Sequence, residues 1–120
     1  MRARSAVKAL WILACATLGA CATEQAPVAQ LSSARTMVSQ AQSVASRYAP
    51  AELKVAQDKL VRADAAMARD DWPQARRLAE QAEVDAKFAW SVAENERTRR
   101  GTAELAQSID ELKRELQGKP

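Results

Sequence analysis

Asp70 to Ala93, DDWPQARRLAEQAEVDAKFAWSVA, is the stretch whose reading decides the fold. Ala75, Ala79, Ala82, Ala86, Ala89 and Ala93 recur at alternating spacings of four and three, which puts them on one stripe of a helix, flanked by Leu78 and Trp90. Side chains this small let a neighbouring backbone approach to the near end of the usual interaxial range of about 8–10 Å. The start of the helix is written just upstream. Asp71 can accept an orphan backbone N–H as a cap, and Pro73 suits the first turn, where its missing N–H would be unpaired anyway. Gln74 stands three residues after Asp71, as in a capping box. Asp70 and Asp71 also suit the positive end of the helix dipole, so capping accounts for two adjacent carboxylates that would otherwise suggest a metal or acid/base pair.

Working backwards, Leu53, Ala56, Leu60, Ala63 and Met67 repeat the three-four spacing and predict a helix over 50–69, opened by Pro50 in its first turn. The residue before a proline is pushed away from the α conformation, so Ala49 marks a break. Before it, Leu31, Ala34, Val38, Ala41, Ala45 and Tyr48 share one stripe and predict a Ser/Gln-rich amphipathic helix over 31–48. Such a helix needs a partner to be stable. The second and third helices, joined by a tight turn, are expected to form an antiparallel hairpin with the first packed alongside. Fold class is therefore all-α, a helical hairpin or three-helix bundle.

Working forwards, the alanine row stops at Ala93. Glu94 to Thr102 (ENERTRRGT) has no apolar stripe, and then Leu105, Ile109, Leu112 and Leu116 begin a new one. At about 100° per residue an unbroken helix carries that stripe well round from the alanine row, towards Val84 and Phe88. Two outcomes stay open. Either the helix breaks near Gly101 and folds back, giving helices over 72–96 and 102–117, or one long helix exposes a second apolar seam and implies a partner or self-association. Phe88, Trp90, Leu105, Ile109, Leu112 and Leu116 are the candidate partner surface. Trp72 and Trp90 are assigned to turn and core packing rather than to a ligand box, and Arg97, Arg99 and Arg100 to a solvated helix face.

The N-terminal region reads differently. Arg2, Arg4 and Lys8 precede an uncharged, largely apolar run from Ala9 to Leu18 (ALWILACATL), the n-region and h-region of a secretory signal. That run is about half the roughly 20 residues a spanning helix needs. Leu18, Gly19 and Ala20 then precede Cys21, the arrangement of a bacterial lipobox. Residues 1–20 are expected to be a lipoprotein signal peptide, and 21–30 a lipidated tether leading to a single helical domain over 31–117. Cys21 is the expected acceptor of diacylglycerol and an N-acyl chain such as palmitate. No cofactor or metal is expected beyond that covalent lipid.

This cut changes the charge and the thiol count. The whole chain holds 18 Lys and Arg against 15 Asp and Glu, an excess that would prompt a search for nucleic acid. Three of the bases lie in the signal and no acid does, so the remainder balances at 15 against 15 and nucleic-acid binding loses its main support. Cys15 leaves with the signal and Cys21 is consumed by lipid, which leaves no thiol for a disulfide. There is no His anywhere, so the common metal and acid/base chemistry lacks its usual donor.

Tyr48-Ala49-Pro50-Ala51-Glu52-Leu53, then Leu60, Ala63, Asp71-Trp72, Ala75, Leu78-Ala79-Glu80-Gln81-Ala82, Asp85-Ala86 and Ala89 to Ala93 together resemble domain-of-unknown-function family 4398. The resemblance implies a small, Ala-rich bacterial envelope domain, frequently a lipoprotein and often found beside an OmpA-like peptidoglycan-binding domain. It brings no catalytic residues with it. The 100 residues after the cut are all assigned to tether or helix, so no OmpA-like domain is expected here.

The expected function is a non-enzymatic, lipid-anchored cell-envelope protein with a structural or partner-binding role, possible partners being an OmpA-like protein or further copies of itself. Ala22 after the modified Cys, rather than the Asp associated with inner-membrane retention, favours the outer membrane facing the periplasm. A coiled-coil-like scaffold is the alternative. A periplasmic hydrolase is a third reading, for which the chain offers no His and no G-x-S-x-G context.

Overall fold

A computed structural model describes residues 25–118; Leu18, Gly19, Ala20, Cys21 and the whole signal segment lie outside the described residues. Three helices follow in order: α1 (Val28–Tyr48), α2 (Pro50–Met67) and α3 (Trp72–Gly118), with no strand among the described residues. The fold is all-α, a three-helix bundle whose last helix continues past the bundle.

The buried residues define how the helices lie. One core cluster joins Leu31 and Ala34 of α1 to Ala63 and Ala66 of α2 and to Ala75, Leu78, Ala79 and Ala82 of α3. The other joins Val38, Ala41 and Ala45 to Leu53 and Ala56, and to Ala86, Ala89 and Ala93. Position along α1 therefore rises with position along α3 and falls with position along α2. The helices run up, down and up, with α1 parallel to α3 and α2 antiparallel to both.

All six alanines of the α3 stripe are fully buried, and of 17 buried hydrophobic residues only Leu31, Val38, Leu53 and Leu78 are larger than alanine. No polar side chain is buried among the described residues. A methyl group returns far less on burial than the roughly 1.5–3 kcal/mol of a Leu or Val side chain. Close backbone approach compensates through dispersion along the whole contact, which is why the small residues must be small on all three helices. Polar contacts across the seams keep the register: Arg35 with Asp64 at 2.5 Å, Lys59 with Asp85 at 2.5 Å, and the Ser33 hydroxyl donating to Glu83 at 2.8 Å. The exposed Arg35–Asp64 pair contributes at most about 1 kcal/mol, while Lys59–Asp85 is half-buried.

Several boundaries differ from those the sequence suggests. α1 starts at Val28, so the segment between Cys21 and the bundle is shorter than 21–30. Pro27 is buried, and the Arg76 guanidinium donates to the Gln25 carbonyl at 3.4 Å, drawing this segment onto α3. α2 ends at Met67 rather than 69 because the chain turns through residues 68–70. The separate helices over 72–96 and 102–117 are one helix of 47 residues, unbroken at Gly101. Glycine weakens a helix by about 1 kcal/mol but does not end it when its neighbours are good helix formers. Trp90 is no core anchor: it is 48% exposed and lies along a groove with Met37, Gln40 and Ser43 of α1.

Candidate functional site: the outer face of the third helix

Two features position α3. The first is the turn that starts it. Asp70 adopts φ 58°, the left-handed conformation in which an Asp is tolerated and a glycine is usual. Its amide donates to the Met67 carbonyl at 3.1 Å, and the Asp71 amide donates to the Ala66 carbonyl at 3.0 Å. This pair of bonds is a Schellman closure of α2. Asp71 also opens α3, its Oδ1 accepting the Gln74 amide at 3.2 Å, with Pro73 in the first turn. Gln74 does not return the bond as a capping box would. The Asp71 amide is already committed to Ala66, and the Gln74 side-chain oxygen accepts from Arg77 instead.

The second feature is the exit of α3 from the bundle. Tyr48, the last residue of α1, has two guanidinium groups against its ring, with Arg47 and Arg100 5.5 and 5.6 Å from its centre. Arg100 and Arg99 both reach Glu96, at 2.6 and 2.8 Å, while Arg97 reaches Glu94 at 3.5 Å. The hydrogen bond from Arg100, then that from Arg99, hold the Glu96 carboxyl below the usual carboxylate range, and Glu96 in turn raises Arg100. The three arginines are thus satisfied along their own helix. Nearer the middle, Lys87 and then Ser33 hold the Glu83 carboxyl below its ordinary value.

Beyond Arg100 every residue of α3 to Gly118 is exposed. Eighteen residues extend the helix by about 27 Å past the bundle. Leu105, Ile109, Leu112 and Leu116 form one stripe along this arm, with Leu116 77% exposed. Within the bundle, Val84 and Phe88 are also mostly exposed, Phe88 by 60%, and lie on the side of α3 opposite its buried alanines. Phe88 and the four arm residues therefore share a continuous outer face, whereas Trp90 stands apart beside α1. Among the described residues there is no grouping of three or more His, Cys, Asp or Glu able to hold a metal ion, and no helix is long and apolar enough to cross a membrane. The face offers shape and apolar contact.

The sequence carried no signal for the Asp70 conformation or for the two arginines on Tyr48, since both depend on how helices end against one another. A family model described as Domain of unknown function (DUF4398) matches residues 29–108, a span that takes in the bundle and the arm as far as Ser108. No curated protein and no solved structure matches the chain. With two thirds of its length matched by that model, the chain belongs to the DUF4398 family.

Proposed function

We propose that this protein is a lipid-anchored component of the bacterial cell envelope, held at the outer membrane facing the periplasm, where its helices hold or organise a partner without catalysis. The observation that carries the reading is the order n-region, apolar run, Leu18-Gly19-Ala20-Cys21 directly ahead of a small helical bundle. Two or three acyl chains, each contributing about 0.8 kcal/mol per buried CH₂, anchor a protein stably, so the fold itself needs no membrane-binding surface. Membership of DUF4398 supports the reading, since the residue resemblance to that family implies small envelope domains often found beside an OmpA-like peptidoglycan-binding domain. The arm of α3 gives the anchored bundle a rigid element with which to reach a partner.

Fractionation of cells carrying Cys21→Ser tests this. The variant should fold as before and leave the membrane fraction. Retention in the membrane at the level of the unaltered chain would contradict it.

A further inference from the structure

We propose that the outer face of α3 is the strand of a parallel, in-register, two-stranded coiled coil whose other strand is α3 of a second copy. The inference stands on the arm and the bundle alone and does not depend on whether Cys21 is acylated.

The exposed residues of α3 keep a strict alternation of four and three. Val84 and Phe88 begin it, and Leu105, Ile109, Leu112 and Leu116 end it. Between them Ser91, Asn95, Thr98 and Thr102 hold the same spacing without a slip, and all of these positions are exposed. The apolar positions at the two ends are in phase on a seven-residue repeat, which drifts by about 20° per heptad on a straight helix, and a left-handed supercoil corrects that drift. The buried alanines lie on the opposite side, so the bundle leaves this seam open along its whole length.

The residue types select the partner. In this frame Ile109 occupies an a position between Leu105 and Leu112 at d, the combination that favours two parallel strands, while Phe88 and Leu116 take further a positions and Val84 a d position. Asn95 occupies an a position, where an Asn facing its counterpart fixes register and strand number, with Ser91, Thr98 and Thr102 completing a polar stretch of the seam. Glu94 at g faces Arg99 at e of the second copy, an attractive pair made twice by symmetry once each exchanges its partner on its own helix, Arg97 and Glu96, for the other. Gly101 at g faces Ala106, which lets the strands close in across the polar middle. Nothing lies within 4 Å of the position a Gly101 side chain would take, so the bundle itself gives no reason for this glycine. An antiparallel pairing over the same length would set Lys87 opposite Glu115 but bury Asn95 against Leu105 and Ser91 against Ile109. Leaving those polar groups unpaired costs more than an exposed ion pair returns.

Cysteines added one at a time to the full chain and oxidised in whole producing cells test the register, with the unaltered chain as the control for Cys15 and Cys21. Asn95→Cys and Ile109→Cys should each give disulfide-linked homodimers at least tenfold above the unaltered chain, while Gln107→Cys on the opposite side should not. In purified protein, Glu94→Arg and Arg99→Glu should each weaken the dimer about two- to fivefold, and the two together should restore it. Leu112→Lys should give a monomer with an unchanged helical signal from the bundle. No dimer above background at residues 95 and 109, crosslinks confined to a mixture of Val84→Cys and Leu116→Cys, crosslinks to a different protein alone, or a dimer undiminished by Leu112→Lys would each overturn the proposal.

Discussion

The amide of Asp71 donates to the carbonyl of Ala66 across 3.0 Å, closing α2, while the carboxylate of the same residue caps α3 through the Gln74 amide. One aspartate therefore sets the angle of the hairpin and the direction in which the long helix leaves. Asp71→Ala removes the cap and should cost about 1 kcal/mol, a fall in Tm of about 4–8 °C for a domain of this size. Asp70→Gly should act in the opposite direction by up to about 1 kcal/mol, since glycine adopts φ 58° without a Cβ penalty. Thermal unfolding of the two variants checks both signs.

The alanine core is sensitive to enlargement as well as to loss. Ala86 is fully buried between α1 and α2. Ala86→Leu should destabilise by about 1–3 kcal/mol or more, because closely spaced backbones cannot move apart locally. Ala86→Gly should also destabilise, by about 1 kcal/mol from helix propensity alone. Chemical denaturation measures both, and a leucine variant as stable as the parent would mean that the helices are not close-packed there.

Gly101 sits inside α3 with open space around it. In the monomeric Leu112→Lys background, Gly101→Ala should stabilise the helix by about 0.8–1 kcal/mol and slow amide exchange in the arm beyond it. Hydrogen exchange across residues 102–118 reads this directly. Unchanged protection would indicate that the arm is already limited elsewhere.

How much of this was legible depends on what carries the information. The stripes through Leu31, Leu53 and Ala75 are local periodicities, and each reappears as a buried face. Leu105 to Leu116 was equally visible as a stripe, but whether α3 broke at Gly101 was not, since propensity alone leaves a single glycine ambiguous. Trp90 adjoins the alanine stripe in sequence, which suggests core packing, whereas a core built on alanine has no room for an indole and leaves it beside α1. Asp71 was readable as a cap from its spacing to Gln74; its second role in closing α2 was not, because that depends on the left-handed Asp70. Cys21 and the lipobox lie outside the described residues and rest on the sequence.

The Glu96 carboxyl is held down by Arg100 and Arg99, which ties the base of the arm to pH. A carboxylate whose folded value lies below its unfolded one contributes stability that is present above the unfolded value, about 4.3, and is lost as pH falls through the folded value. Acidification from pH 6 to pH 3 should therefore release Arg100 and shift the Tyr48 ring resonances, with the change centred below the ordinary glutamate range. In Glu96→Gln that component should vanish. A Tyr48 transition unaltered by the substitution would assign it to another group.

The attachment at Cys21 is the premise on which the envelope role depends, and intact mass measurement of the protein extracted from membranes tests it most directly. The expected product begins at Cys21, has lost residues 1–20 and carries the added mass of a diacylglycerol and an N-acyl chain. A chain that retains residues 1–20, or one that begins at Cys21 with an unmodified thiol, would contradict it.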